Sequence, residues 1–297
     1  MITKTEARES ISSLTGAAQS LLLTLASRAF ESAQDRPIIR DDKAVQLLAA
    51  LEFDATPLAR NRLYHTLICL RTRRFDTVVA AFLREHPDAI VVNLGCGLDT
   101  RFERVDNGRA QWIEIDVPEV IELRRKLLHE DSRRRFIPCS VTDLSWLAAL
   151  EDRADRPVFF FAEGLFMFLD EPDVRRIMVE IGQRFPGSNL LFDALKPIEV
   201  SLRRFHPTLR RTQAMLRWGL RGGRVIETWH PSLRRVSEWF FCEEAEPRLG
   251  WYRLLRYIPW VGRTAWILLY QVTGDWRPTD AGPAPGAGSL TGHSGAL

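Results

Sequence analysis

Two glycines followed by an acidic residue form the most informative pattern in this chain. The β-branched run 90–92 leads into Gly95 and Gly97, and Asp116 ends a second apolar run 19 residues after Gly97. Glycines at a turn between a strand and a helix let the backbone approach a ligand closely, because they carry no Cβ atom. A carboxylate at the end of the next strand is placed to accept hydrogen bonds from ribose hydroxyls. The pattern predicts a site for a cofactor that contains adenosine.

The residues after the glycines distinguish between two classes of adenosine cofactor. A dinucleotide fingerprint needs a third glycine where this chain has Thr100. Asp99 also opposes a pyrophosphate, which binds the free amides at the start of a helix. S-adenosyl-L-methionine carries no phosphate and has a positive sulfonium and a positive ammonium group, so that an acidic rim favours it. A nicotinamide or flavin dinucleotide is the alternative.

Alternating strands and helices are predicted to position these residues. Short β-branched or aromatic runs predict strands over 89–94, 111–116, 133–138, 157–162 and 188–193. Helix formers with polar faces predict helices over 101–106, 118–130, 143–151 and 171–185. Asp170, ahead of Pro172, is expected to cap the last of these helices. The alternation predicts an α/β fold with a doubly wound, mostly parallel sheet.

The remaining segments are predicted to flank a core of residues 87–273. Residues 1–86 have apolar positions at helical spacing and are expected to form a helical lid of the same domain. Residues 196–241 interrupt the alternation with several prolines and are predicted to be a helical insertion over the site. The run 264–272 predicts a closing strand. The tail 274–297, rich in glycine and proline, is predicted to be disordered.

Composition excludes several classes of protein. With 297 residues, 45% of them hydrophobic, the chain is long enough to bury the core of one large domain. A net charge of +3 argues against a nucleic-acid partner. The four cysteines lack the spacing of a metal site or a disulfide framework. No apolar run reaches the roughly 18 residues of a membrane span, and no secretion signal opens the chain. We expect a cytoplasmic protein without a membrane partner or a metal, and the oligomeric state stays open.

Several segments resemble the leucine carboxyl methyltransferase family over about residues 15–272. The segments that carry the resemblance are 24–32, 70–76, 93–101, 114–126 and 161–169. Within the family, the chain is most similar to the bacterial branch of polyketide O-methyltransferases. The resemblance implies the seven-stranded, Rossmann-like fold of class I methyltransferases, with an antiparallel last strand. It also implies an S-adenosylmethionine-dependent O-methyltransferase that acts on a carboxyl or phenolic oxygen of a small, polyketide-like molecule.

The resemblance also assigns cofactor contacts to individual residues. Arg71 matches the family's arginine that meets the methionyl carboxylate, and Arg28 is a second candidate for that role. Glu163 matches a residue that contacts the methionyl part. Gly95 and Gly97 are expected to lie against the methionyl and ribose portions. Asp99 either contacts the cofactor or caps the helix that follows.

Two departures from the family pattern lie in the predicted site. Many relatives bind the adenine edge with an Asp-Leu pair after the third strand, where this chain has Ser140-Val141. Either Ser140 or Asp143 is expected to replace that aspartate. Relatives often have a tyrosine where this chain has Phe168, so a mechanism that depends on this phenol is excluded.

The acceptor decides whether a catalytic base is needed. Methyl transfer is an in-line displacement, in which alignment and desolvation supply most of the acceleration. A carboxylate acceptor is already ionised, whereas a phenol benefits from a base. His206 and His230, each followed by proline, are the candidates for that base. A protein C-terminal carboxyl methyltransferase and a non-catalytic S-adenosylmethionine-binding regulator are the alternative functions.

Overall fold

A seven-stranded sheet forms the centre of the protein, as a computed structural model describes it for residues 8–58, 61–151, 156–203 and 215–274. Its strands are β1 (Ile90–Leu94), β2 (Gln111–Asp116), β3 (Arg134–Pro138), β4 (Val158–Ala162), β5 (Asn189–Leu195), β6 (Leu233–Phe240) and β7 (Ala265–Val272). The spatial order is β3-β2-β1-β4-β5-β7-β6. Strands β1 to β5 are parallel, and β7 is antiparallel to both neighbours. The predicted doubly wound, mostly parallel sheet is confirmed.

The helices of the described residues cover both faces and one edge of this sheet. They are α1 (Ser20–Ser32), α2 (Asp42–Ala50), α3 (Arg62–Glu85), α4 (Arg101–Val105), α5 (Pro118–Leu127), α6 (Glu171–Arg184), α7 (Pro197–Arg203), α8 (Arg224–Glu227) and α9 (Pro259–Gly262). Short 3-10 helices add Gly16–Gln19, Leu144–Leu150, Phe166–Phe168, Phe241–Glu243 and Pro247–Tyr257. None of these helices is long and apolar enough to cross a membrane.

The central strands are buried along their whole length, which is why they consist of uninterrupted apolar residues. All five residues of β4 are buried, and their side chains alternate between two clusters. Phe159 and Phe161 pack with Phe75 of α3 on one face, whereas Phe160 packs with Phe185 on the other. Helices on both faces therefore hold the carboxyl ends of β1 and β4 in fixed positions.

The first helices pack over the carboxyl edge of the sheet. Leu21 and Leu25 of α1 belong to the same buried cluster as Cys96 and Leu98, which follow β1. Asn61 caps the start of α3, and its side chain accepts a hydrogen bond from the Tyr64 amide (3.1 Å). In this arrangement, the helices predicted as a lid lie directly above the glycine turn.

Two predictions need correction. The helical insertion predicted over 196–241 is wrong for residues 233–240, which form the edge strand β6. Charged residues and a bulge between Arg235 and Ser237 break the regular alternation there, as is common in edge strands. Asp170 precedes α6 but makes no capping hydrogen bond, and pairs with Arg217 instead (2.8 Å). The predicted disordered tail, from residue 275 on, lies outside the described residues.

Candidate active site

The carboxyl ends of the parallel strands border a cavity of about 940 Å³. The chain crosses from β3 at one edge to β4 beside β1, so that the topological switch point lies between β1 and β4. Ligands of doubly wound sheets bind at this position. The polar part of the cavity wall includes Arg28, Arg71, Asn93, Asp99, Asp116, Glu119, Ser140, Glu163, Asp193 and Glu199.

The glycine turn borders the cavity in a conformation that favours glycine. Gly95 and Gly97 have φ angles of +69° and +48°. A Cβ atom at Gly95 would lie 2.7 Å from Cδ1 of Leu165, another residue of the cavity wall. The positive φ angles favour glycine at both positions, and the absence of a side chain at Gly95 leaves room for Leu165 beside the turn.

Asp116 connects this turn to β2. Its Oδ2 accepts a hydrogen bond from the Gly97 amide (2.7 Å), and its Oδ1 accepts one from the Val117 amide (2.8 Å). Burial raises the pKa of Asp116 to about 6, although both amides oppose the shift. Each carboxylate oxygen can accept a further hydrogen bond. Because Asp116 also lines the cavity, it is placed to receive two neighbouring hydroxyls.

Arg71 is fixed by carboxylates from two strand ends. Its Nε donates to Glu163 (3.0 Å) and its Nη1 to Asp193 (3.0 Å). Within the described residues, its Nη2 has no hydrogen-bond partner, and the side chain lines the cavity. Burial raises the pKa of Asp193, and the Arg71 charge only partly offsets it. One guanidinium nitrogen of Arg71 thus stays available for an anion in the cavity.

Glu163 also joins a larger network of buried ion pairs. Arg101 donates to Glu163 (2.5 Å), Asp99 (2.6 Å) and Asp76 (2.7 Å), so that β4, α3 and the glycine turn are tied together. Although burial opposes ionisation, Arg101 and Arg71 hold the pKa of Glu163 below its usual range. Glu163 is therefore a carboxylate at neutral pH.

Arg28 and Asp99 have structural partners in addition to their position on the cavity wall. Arg28 pairs with Asp41 (2.9 Å) and donates to the Leu98 carbonyl (2.7 Å). Asp99 accepts a hydrogen bond from the Arg101 amide (3.0 Å) at the start of α4. Both line the cavity as well, so that the predicted cofactor contacts stay predictions.

Ser140 and Asp143, the two candidates for the adenine contact, lie at different places. Ser140 lines the cavity beyond the end of β3, and its hydroxyl lies 2.9 Å from that of Thr142. Asp143 is exposed and caps the 3-10 helix Leu144–Leu150 through the Ser145 amide (3.1 Å). Asp143 does not line the cavity. Ser140 is thus the better placed of the two candidates.

Of the two candidate bases, the structure describes only His230, and it lies away from the cavity. His230 is buried beside Gly182 of α6, with its Nδ1 2.8 Å from the Ser232 hydroxyl, and burial lowers its pKa. It does not line the cavity, so the structure does not support its predicted role. His206 lies outside the described residues.

Asn93 and Asp193 are two of the cavity residues that the sequence prediction missed. Asn93 is buried in β1 and donates to Asp99 (3.2 Å). Asp193 lies in β5 and accepts hydrogen bonds from the Gly164 amide (2.6 Å) and Arg71. Both are polar residues within apolar strands, close to the carboxyl edge of the sheet. This pattern in the sequence could have marked them as residues of the ligand site.

A second part of the wall is apolar. Its side chains come from α3, from the segment after β4, and from the segments around α7 and the end of β6. They are Leu63, Leu67, Ile68, Met167, Phe168, Leu169, Leu195, Leu202, Leu216, Phe241, Trp251 and Tyr252. This wall is suited to an apolar or aromatic molecule.

The charges of the cavity wall fit S-adenosylmethionine. Among the described residues, six carboxylates and two arginines line it: Asp99, Asp116, Glu119, Glu163, Asp193 and Glu199, with Arg28 and Arg71. The excess of acidic groups favours the sulfonium and ammonium of this cofactor and opposes a pyrophosphate. The assignments of Asp116 to the ribose diol and of Arg71 to the methionyl carboxylate stay predictions.

Comparison with known proteins agrees with this geometry. A family model described as leucine carboxyl methyltransferase matches residues 21–182. The chain belongs to the leucine carboxyl methyltransferase family. The tetracenomycin polyketide synthesis O-methyltransferase TcmP of Streptomyces glaucescens is 34% identical over 264 residues, which cover 82% of this chain and 97% of TcmP. The S-adenosyl-L-methionine-dependent methyltransferase dpfgK of Gibberella zeae is 30% identical, over 83% of this chain and 91% of the length of dpfgK. This leucine carboxyl methyltransferase family member is thus an S-adenosylmethionine-dependent O-methyltransferase.

Solved structures share the fold of this family member. A Thermobifida fusca protein described as a methyltransferase aligns with a TM-score of 0.53 and covers 84% of this chain and 94% of its own. A DUF574 family protein of Streptomyces avermitilis aligns with a TM-score of 0.52 and covers 84% and 96%. Both are 15% identical in sequence and show the fold alone.

Proposed function

We propose that this enzyme transfers a methyl group to a carboxyl or phenolic oxygen of an aromatic, polyketide-like small molecule. The observation that carries the proposal is that one cavity joins the polar wall at the strand ends to the apolar wall formed by α3 and the later segments. A flat, largely apolar acceptor matches the second wall. The relative TcmP, which is named for polyketide synthesis, supports the same class of acceptor.

The chain's own residues have distinct tasks in this proposal. S-adenosylmethionine, when bound, supplies an activated methyl group. Asp116 holds the ribose, the glycine turn lies against the methionyl and ribose portions, and Arg71 binds the methionyl carboxylate. Apolar residues such as Phe168 and Leu67 exclude water and orient the acceptor. Such alignment contributes on the order of 7 to 11 kcal/mol to a displacement reaction.

A carboxyl oxygen is the favoured acceptor atom. No histidine lines the cavity within the part of the chain that the structure describes. A carboxylate is ionised at neutral pH and needs no base, whereas a phenol with a pKa of about 10 does. The polar wall offers carboxylates for that task, but those of Glu163 and Asp99 already receive hydrogen bonds from arginines.

Turnover with a matched pair of acceptors tests the proposal. A polycyclic aromatic carboxylic acid and the corresponding phenol without the carboxyl group are each incubated with S-adenosylmethionine, and methyl esters or ethers are measured by mass spectrometry. Methylation of the acid supports the favoured assignment, and methylation of the phenol alone overturns it. A peptide with a free C-terminal leucine tests the protein-directed alternative. Cofactor binding without methylation of any aromatic acceptor would favour the regulatory alternative.

A further inference from the structure

A buried arginine lies behind the glycine turn, on the side away from the cavity. Arg124 of α5 is fully buried and does not line the cavity. Its Nη1 donates to the Gly97 carbonyl (2.8 Å) and its Nη2 to the Asp99 carbonyl (2.9 Å). One side chain therefore holds two carbonyls of the turn whose other face borders the cavity.

Glu114 and Phe136 fix the orientation of this guanidinium. Glu114 of β2 accepts from Arg124 Nη2 (2.5 Å) through Oε1, and from Arg134 Nε (2.7 Å) through Oε2. The Phe136 ring lies 4.9 Å from the Arg124 guanidinium carbon. A planar guanidinium with donors at fixed angles can hold several acceptors at once in a defined geometry.

The turn is thus held from both sides. Arg124 binds the carbonyls of Gly97 and Asp99, while Asp116 accepts the hydrogen bond of the Gly97 amide. Gly97 has a positive φ and little intrinsic preference for one conformation. Without the hydrogen bonds from Arg124, the free turn would sample more conformations. Ligand binding would then cost more conformational entropy, which lowers affinity.

We infer that Arg124 is a positioning residue of the cofactor site, which keeps the glycine turn in its binding conformation without touching the cofactor. The inference rests on the assignment of this turn to S-adenosylmethionine. Arg124 acts through Gly97 and Asp99, so its effect is on cofactor affinity and on the order of the turn.

Arg134 offers a matched control. It is also buried, it bonds to the same Glu114, and its other side-chain partner is Glu103 (2.7 Å). Either arginine can be replaced while the other still pairs with Glu114, so neither Arg124→Met nor Arg134→Met leaves that carboxylate without a cation. The two variants differ in the contact with the turn.

The experiment measures the Kd of S-adenosylhomocysteine by calorimetry, together with hydrogen exchange of the amides of 95–101. We expect Arg124→Met to raise the Kd about tenfold or more and to speed exchange in the turn, because a buried charge-assisted contact is lost. Arg134→Met is expected to keep the Kd within about twofold, even if it lowers the free energy of unfolding similarly. Arg124→Lys, which keeps a charged donor, is expected to recover part of the affinity.

Equal Kd values for Arg124→Met and Arg134→Met would overturn the inference, as would unchanged hydrogen exchange in the turn. If the methionine variant of Arg124 does not fold, Arg124→Lys and Arg134→Lys give the same comparison, and equal Kd values again refute the role. Failure of the unmodified protein to bind S-adenosylhomocysteine has a different meaning, since it would overturn the cofactor site itself.

Discussion

Replacement of Asp116 by asparagine should separate the ribose contact from the rest of the cofactor site. The asparagine would keep the side-chain shape but place an NH₂ donor against a group that donates, either the Gly97 or the Val117 amide or a ribose hydroxyl. A buried donor or acceptor left unsatisfied costs about 1 to 3 kcal/mol. We therefore expect the Kd of S-adenosylhomocysteine to rise roughly 5- to 150-fold.

The pH dependence gives this prediction a second, independent signature. Burial raises the pKa of Asp116 to about 6 in the free protein, and ribose hydroxyls donate to its ionised form. Binding therefore selects the carboxylate. Affinity should be nearly constant above about pH 7, about twofold lower at about pH 6, and about tenfold lower at about pH 5. The Asp116→Asn variant has no such group and is expected to show a flat profile there.

Calorimetry between about pH 5 and about pH 8 tests both parts. Asp131→Asn serves as the control, because Asp131 is an exposed carboxylate before β3, at the opposite end of the strands. An unchanged Kd for folded Asp116→Asn would refute the ribose assignment. A flat pH profile of the unmodified protein would refute the raised pKa of Asp116.

Three further predictions concern the lid and the turn. Arg71→Met should lower the free energy of unfolding in urea by about 3 to 5 kcal/mol, because it removes one partner of buried pairs. Arg74→Met, also on α3, removes a more exposed pair with Glu244 and should cost less than about 1 kcal/mol. Equal losses would contradict the role of Arg71. Gly95→Ala should weaken S-adenosylhomocysteine binding and Gly108→Ala should not, since both have positive φ but only Gly95 lies at the cavity; equal Kd values would refute this. Although burial opposes ionisation, Arg28 and Arg104 lower the pKa of Asp41, so the contribution of ionised Asp41 to stability is present above its ordinary pKa and is lost as the pH falls through the lowered value. Arg104→Met should therefore move the midpoint of acid unfolding, followed by circular dichroism, to higher pH. An unmoved midpoint would count against a stabilising pair of Asp41 with Arg104.

The parallel strands were predictable because each is a short apolar run that ends in turn residues. Predicted and observed bounds of β1 to β4 differ by at most one residue at either end, and β5 extends two residues further, to Leu195. The signal is strong there because both faces of a central strand are buried. At the sheet edge, β6 is exposed to solvent on part of its surface, carries charges and contains a bulge, so its pattern did not predict a strand.

Site residues were predictable where they follow the strands directly. Gly95, Asp116 and Glu163 lie at strand ends, and the fold brings these ends together at one cavity. Their partners were not predictable, because the ion pairs join residues far apart in sequence: Arg71 meets Asp193 across 122 positions, and Arg101 meets Glu163 across 62. Such pairs depend on the packing of α3 against the sheet, which periodicity alone does not specify.

The most direct test of the cofactor site is a crystal structure of the complex with S-adenosylhomocysteine. The assignments predict that its ribose hydroxyls lie within hydrogen-bond distance of Asp116 and that its carboxylate contacts Arg71 Nη2. Its sulfur should face the apolar wall near Phe168. A ligand outside this cavity, or one with its ribose away from Asp116, would contradict the proposed site.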